Sequence, residues 1–180
     1  MQAIEVRWAL EHLTVLVDTR EQSTERLKER LDSFGLPYKR QKLPFGDYSA
    51  RCTLPSGDTL DFSEKFAIER KMNLDELCQC FTHGRQRFIR EFERAKAQGA
   101  KLYLLIENGS FENMYNHKYR SKTAPNAVVA STLAWLARYD CQVIFCKPET
   151  TGKLIADIVY RQVKEFLEKG GRRFFIFLYA

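Results

Sequence analysis

The segment Phe66-Ala67-Ile68-Glu69-Arg70-Lys71 constrains this chain more than any other. Its aromatic and β-branched start reads as a strand. Alternate residues of a strand share a face, so Glu69 and Lys71 project together while Ile68 and Arg70 project the opposite way. A carboxylate and an ammonium so placed also fit a plain ion pair on a sheet surface. The flanking residues change that balance. Upstream stands Gly46-Asp47-Tyr48, where the glycine lets the chain turn and present the aspartate. Downstream, beyond Met72-Asn73-Leu74, stands Asp75.

An Asp, with a Glu and a Lys two residues apart, is a minimal set for hydrolysing a phosphodiester with a divalent metal. Asp47 and Glu69 offer hard oxygens suited to Mg²⁺ or Mn²⁺. Such an ion lowers the pKa of a bound water and neutralises charge on phosphorus. Lys71 holds the water or the phosphate as a mobile point charge. The main-chain carbonyl of Arg70 is a plausible further ligand.

Residues 13–17 form an apolar, β-branched run and read as a buried central strand. The run ends in Asp18-Thr19-Arg20-Glu21. Acids at the carboxyl end of a buried strand sit where α/β sheets place their sites. Glu21 also fits the start of a helix, where the dipole favours an acid. Asp18 does not, because it still lies on the strand.

The rest of the chain alternates strands and helices. Strands are expected over residues 4–10, 13–17, 38–43, 48–54, 60–68, 101–106 and 142–146. Ser23 caps a helix carrying Leu27, Leu31 and Phe34, and helices follow over 74–81, 86–98 and 126–139. Thr151 caps a last helix that Gly170-Gly171 ends. This pattern predicts an α/β fold with a mixed sheet. We read residues 1–180 as one domain with its core at about residues 13–168. The strand over 1–12 and the apolar tail over 172–180 are decorations, and the tail can pair with the first strand or join a dimer contact.

Composition narrows the class. The chain is 44% hydrophobic and 13% aromatic, enough for a full core. No run reaches the roughly 20 apolar residues that span a bilayer. Cys52, Cys78, Cys80, Cys141 and Cys146 are odd in number and lack metal-ligand spacing, so the chain reads as intracellular and reduced. Leu74, Leu77, Cys78 and Phe81 recur at helical spacing, which places Cys78 in the core. Thr150-Thr151-Gly152-Lys153 lacks the upstream glycines of a phosphate-binding loop. The net charge of +6 is consistent with a polyanionic partner. It concentrates in residues 39–42, in Arg85, Arg87, Arg90 and Arg94, and in Lys118, Arg120 and Lys122. The last group is interleaved with Tyr115, His117 and Tyr119, a loop that can grip phosphates and stack a base.

In that order and at nearly those intervals, Val17-Asp18-Thr19-Arg20-Glu21, Gly46-Asp47-Tyr48 and Glu69-Arg70-Lys71-x₃-Asp75 resemble the nuclease module of XPF-type structure-specific endonucleases. Gly84-Arg85, the arginine-rich helix after it, and Leu104-Leu105-Ile106-Glu107 match in place. The resemblance runs over about residues 13–167. It implies a restriction-endonuclease-like core with Asp47, Glu69 and Lys71 as the catalytic set, and Asp18 and Glu21 completing an acidic pocket. It implies Mg²⁺ or Mn²⁺ held by Asp47, Glu69, Asp18 and Arg70. Arg20 and Arg70 would contact phosphate or brace the carboxylates, and Asp75 would brace. DNA contacts are expected from Arg20, Arg70, Arg85, Arg87, Lys118, Arg120 and Lys122. The implied partner is branched DNA or a duplex/single-strand junction, in repair, recombination or replication; family members commonly act as dimers, and the apolar helices and tail here fit either a homodimer contact or a monomer core. A restriction-like duplex endonuclease and a non-catalytic DNA-binding subunit are the alternatives. The helix-hairpin-helix repeats and helicase domains common in the family do not fit this length, which suits a stand-alone phage or bacterial form in the cytoplasm.

Overall fold

Helix α1 (Ala3–Glu11) leads into strand β1 (Leu13–Asp18), helix α2 (Glu25–Asp32) and strand β2 (Tyr38–Gln41). Strands β3 (Tyr48–Thr53), β4 (Thr59–Asp61) and β5 (Phe66–Lys71) follow, then helices α3 (Leu74–Phe81) and α4 (Arg85–Ala97). Strand β6 (Lys101–Glu107), helices α5 (Phe111–Tyr115) and α6 (Pro125–Tyr139), strand β7 (Gln142–Cys146) and helix α7 (Pro148–Gly170) complete the order. The structure is a computed structural model, and it describes residues 1–170. The tail over 172–180 and its expected pairing lie outside the described residues.

The strands form one mixed sheet in the order β2-β1-β3-β5-β6-β7, with β4 added to β3. β1 runs parallel to β2, and β5, β6 and β7 run parallel to one another. β3 runs antiparallel to both β1 and β5. The carboxyl ends of β1, β5 and β6 therefore meet the amino end of β3 at one edge of the sheet. That edge collects Asp18, Asp47, Glu69, Lys71 and Glu107 from separated stretches of chain.

Helices cover both faces, which is why the central strands are apolar on both sides. On one face α1, α2 and α7 pack against Val15, Val17, Tyr48, Ala50, Ile68 and Leu105. On the other, α3, α4 and α6 pack against Ala67, Leu102, Leu104 and Ile106. The pleat of β5 sends Ile68 to the first face and Ala67 to the second. It thus fixes Arg70 on the side of α2, and Glu69 and Lys71 on the side of α3 and α4. Trp135 anchors the second core, stacked 5.2 Å from Phe88. Cys78 is buried there, as its helical spacing predicts, and the five cysteines are free thiols. Among the described residues no helix is long and apolar enough to cross a membrane.

Several elements differ from the sequence expectation. Residues 1–12 form a helix, not a strand. Val6, Ala9 and Leu10 are buried at helical spacing, while Ile4 stays 74% exposed. The strand expected over 60–68 breaks because the Asp61 carboxylate accepts the Ser63 N–H at 2.8 Å and turns the chain. Thr24, not Ser23, caps α2 by accepting the Leu27 N–H. The last helix begins at Pro148 rather than after Thr151, using proline where its missing N–H is harmless. Thr151 is buried inside it and donates its hydroxyl to the Lys147 carbonyl.

Gly152 has its own explanation in this packing. A Cβ there would fall 1.9 Å from Ser33 Oγ and 2.4 Å from the Arg30 carbonyl oxygen, so α7 lies directly on the end of α2. An open helical Gly→Ala change gains about 1 kcal/mol. Gly152→Ala is expected instead to lose about 1–3 kcal/mol through overpacking, seen as a lower Tm by circular dichroism. A raised Tm would contradict the contact.

Candidate active site

Gly46 sits at φ +70°, and a Cβ on it would lie 2.7 Å from Ala67 Cβ. Only glycine lets the β2–β3 turn press this closely against β5. Hydrogen bonds to β1, β5 and α4 hold the turn. Asp47 N–H donates to the Ile68 carbonyl at 2.8 Å, and Asp18 N–H donates to the Asp47 carbonyl at 2.8 Å. Gly46 N–H donates to Glu91 Oε1 on α4 at 3.0 Å. The turn directs the Asp47 side chain to the end of β5, where Oδ2 accepts the Arg70 N–H at 2.7 Å.

There it meets Glu69 and Lys71, both buried. Lys71 Nζ donates to Glu69 Oε1, and it lies 5.3 Å over the Phe88 ring. Glu69 Oε2 is buried with no hydrogen-bond partner. Burial, then the charge of Glu69, raise the Asp47 pKa well above the usual carboxylate range, and Lys71 offsets only part of this. Burial acts to lower the Lys71 pKa, but Glu69 and Asp47 outweigh it and hold the amine protonated above its ordinary range. Glu91 is also raised, by burial and then by Glu69. The cluster therefore carries more carboxylate than cation.

A divalent metal fits that imbalance. An orphaned carboxylate oxygen beside a second carboxylate reluctant to ionise is a site that a hard cation would satisfy. Among the described residues no three or more His, Cys, Asp or Glu side chains form a closed cage. Mg²⁺ commonly takes one or two carboxylates and completes its shell with water and phosphate. Asp47 and Glu69 are the pair that could hold it.

Asp18 does not join them. It is fully buried, and Oδ1 accepts both the Arg20 N–H and Nε at 2.7 Å. Oδ2 accepts the Leu43 N–H at 2.7 Å and Arg20 Nη2 at 3.2 Å. Burial would raise its pKa, but these bonds from Arg20 and Leu43 outweigh burial and lower it. Both oxygens are thus spoken for, and the geometry makes Asp18 the anchor of Arg20 and of the β2–β3 turn. Arg20 in turn reaches Glu91 at 3.6 Å.

A second network lies on the α2 face of the sheet. Glu21 Oε2 accepts from Tyr48 Oη at 2.9 Å and from Arg30 Nη1 at 3.2 Å. Arg30 Nη1 also donates to Tyr48 Oη at 2.7 Å. Glu107 then bridges Arg30 Nη2 at 3.8 Å and Arg70 Nη1 at 3.3 Å. Glu21 and Arg70 so face each other across this network, within electrostatic reach of Asp47.

Both networks open on one cleft of about 700 Å³. Arg20, Glu21, Arg70, Arg87 and Arg120 line it with Asp47, Glu69 and Lys71. Arg85, Lys118 and Lys122 do not. Arg85 lies 5.6 Å over the Trp135 ring, and Lys122 lines a neighbouring groove beside Asp75 and His83. Asp75 is turned from the cleft centre toward the loop before α6, accepting the Arg120 and Ser121 N–H groups. Sequence reasoning passes over Arg30 and Glu91 and gives Glu107 no role beyond its place in the family pattern. A signal was present: Leu27-Arg30-Leu31-Phe34 and Phe88-Glu91-Phe92-Ala95 each set one charge in an apolar helical stripe.

The family model of the ERCC4 domain matches residues 17–158. No curated protein sequence matches the chain. Among solved structures, the chain is similar to XPF from Aeropyrum pernix at 20% identity and a TM-score of 0.59, over 83% of this chain and 61% of that one. It is also similar to XPF from Aeropyrum pernix in complex with DNA, at 20% identity and a TM-score of 0.57, over 84% of this chain and 65% of that one. The chain thus spans less than two thirds of these relatives, and the likeness shows a shared fold, the restriction-endonuclease-like one.

The raised proton affinity of Asp47 has a thermodynamic consequence. Its ionised form opposes folding above the folded-state pKa, and that opposition is relieved as pH falls through this value toward the ordinary aspartate range. Asp47→Asn is expected to raise the Tm of the metal-free protein at mildly alkaline pH, with the gain shrinking in acid. Thermal melts across pH check this; a lower Tm for the variant at alkaline pH contradicts it.

Proposed function

We propose that this chain, which belongs to the ERCC4-domain family, is a divalent-metal-dependent DNA endonuclease acting on branched DNA or duplex/single-strand junctions. The observation that carries the reading is the pair of facing carboxylates, Asp47 and Glu69, with the buried ammonium of Lys71 beside an unpartnered Glu69 oxygen. Asp47 and Glu69 would hold Mg²⁺ or Mn²⁺, which when bound supplies an activated water and positive charge at the scissile phosphate.

Lys71 works as a donor, not a base. Held protonated by two carboxylates, it cannot take up a proton at neutral pH. It hydrogen-bonds the attacking water or a non-bridging phosphate oxygen and keeps it in line. Arg20 ties Asp18 to Glu91, and so braces the turn that presents Asp47. Arg70 braces the other side of β5 through Glu107. Arg87 and Arg120 stand at the cleft wall, where they can meet the DNA backbone. Hydrolysis adds water across the phosphodiester and leaves a 5′-phosphate and a 3′-hydroxyl. The family, and the relative whose structure was solved with DNA, support DNA as the polymer; intermediates of repair, recombination or replication are its proposed source.

Flap, fork, splayed and plain duplex substrates cut side by side test this reading. Mg²⁺- or Mn²⁺-dependent cleavage is expected at the branched substrates. Asp47→Asn and Lys71→Ala are each expected to lower the rate by about 10²-fold or more, the scale of removing one transition-state interaction, with DNA affinity unchanged. Full activity in either variant rejects the assignment. Equal cutting of plain duplex points to a restriction-like enzyme.

A further inference from the structure

Asp75 closes the ERK-x₃-D signature and lies in the first turn of α3, yet its carboxylate accepts no N–H of that helix. The cap of α3 comes from Asn73, which accepts the Glu76 N–H at 2.9 Å. Asp75 instead faces the loop between α5 and α6. Its Oδ1 accepts two consecutive backbone N–H groups, Arg120 at 2.7 Å and Ser121 at 2.6 Å, and Oδ2 lies 3.4 Å from Arg120 Nε. Its side chain is 22% exposed against 90% for Arg120, so the sheltered part of the contact is to the backbone.

The loop is otherwise bonded to itself. Lys118 N–H donates to the Asn113 carbonyl at 2.8 Å, Tyr119 Oη to the Thr123 carbonyl at 2.8 Å, and His117 Nε2 meets the Ser121 carbonyl at 2.9 Å. It is a compact body carrying three cations, and Asp75 grips it at two adjacent amides. Only Met72-Asn73-Leu74 separate that grip from Lys71, so the loop and the catalytic strand share one rigid junction.

We propose that Asp75 is a positioning residue that clamps the 116–124 loop at the mouth of the cleft and so sets where Lys118, Arg120 and Lys122 meet the DNA backbone. Its effect on DNA rests on the endonuclease reading; the clamp itself does not. Oδ1 is committed to two backbone amides, which sets Asp75 apart from Glu69, whose Oε2 has no partner. An amide side chain keeps the acceptor oxygen that the two N–H groups use, so Asp75→Asn preserves the clamp and Asp75→Ala removes it.

The test compares the full chain with D75A, D75N and K118E/K122E. Amide hydrogen exchange reads the clamp, anisotropy across a salt series reads DNA binding, and titration with Mn²⁺ reads the metal pair. In D75A the Arg120 and Ser121 amides are expected to exchange at least about tenfold faster, as for local opening. DNA affinity falls about tenfold, and the salt slope flattens by about 0.9 for each phosphate that the displaced loop no longer neutralises. Adding K118E/K122E to D75A then weakens binding less than it does in the wild type, the mark of coupled groups. D75N keeps amide protection and binds DNA within about threefold of wild type, the scale of a surface change, and both variants bind Mn²⁺ as wild type does. Undiminished amide protection in D75A overturns the clamp. So does D75N matching D75A with Mn²⁺ affinity abolished, because that is how a metal ligand behaves. A wild type that binds no DNA fails the endonuclease reading and takes the DNA half of the proposal with it, and the amides still decide the clamp.

Discussion

A half-buried Asp47 and a buried Glu69 that line one cleft, with the buried Lys71 ammonium beside Glu69, are the constraint around which this protein is arranged. Asp47 and Glu69 repel each other, burial amplifies the repulsion, and Lys71 relieves it only in part. Left to itself such a pair would swing into water. It stays because each member is fixed by backbone: Glu69 by its place in a strand paired along its length with β6, Asp47 by a turn bonded to β1, β5 and α4. The fold stores an electrostatic deficit that a hard dication would relieve.

The surrounding charges divide by sheet face. The pleat of β5 puts Arg70 on the α2 side, where Glu107, Arg30, Tyr48 and Glu21 form a continuous chain of contacts. On the other side Glu91 and Arg20 buttress the turn at Gly46. The α2-side network pairs two acids with two arginines and so balances its own charge. Asp18, which resembles a ligand in the sequence, has both oxygens engaged by Arg20 and Leu43. Buried ion pairs of this kind add little net stability, but breaking one leaves an uncompensated charge inside the protein.

Much of this was legible in the chain. The alternation in residues 66–71 placed Glu69 and Lys71 on a shared face, and the apolar run before Asp18 marked the central strand. The family signature ordered them. Local pattern failed where two periods overlapped: Ile4, Val6, Trp8 and Leu10 alternate like a strand, but Val6, Ala9 and Leu10 also form a helical stripe, and packing on α7 selected the helix. It also failed wherever a role depends on a distant partner. Nothing near Glu91 announces the Gly46 amide, and nothing near Asp75 announces the Arg120 and Ser121 amides. Asp18 was visible as a special acid, but its engagement by Arg20 and Leu43 was not.

Soaking crystals of the protein in manganese and mapping the anomalous signal puts the arrangement to its most direct trial. A single strong peak bonded to both the Asp47 and Glu69 carboxylates, with Asp18 still held by Arg20 and Leu43, is the expected result. Manganese bound elsewhere, with these two carboxylates left apart and unliganded, would contradict the account at its centre.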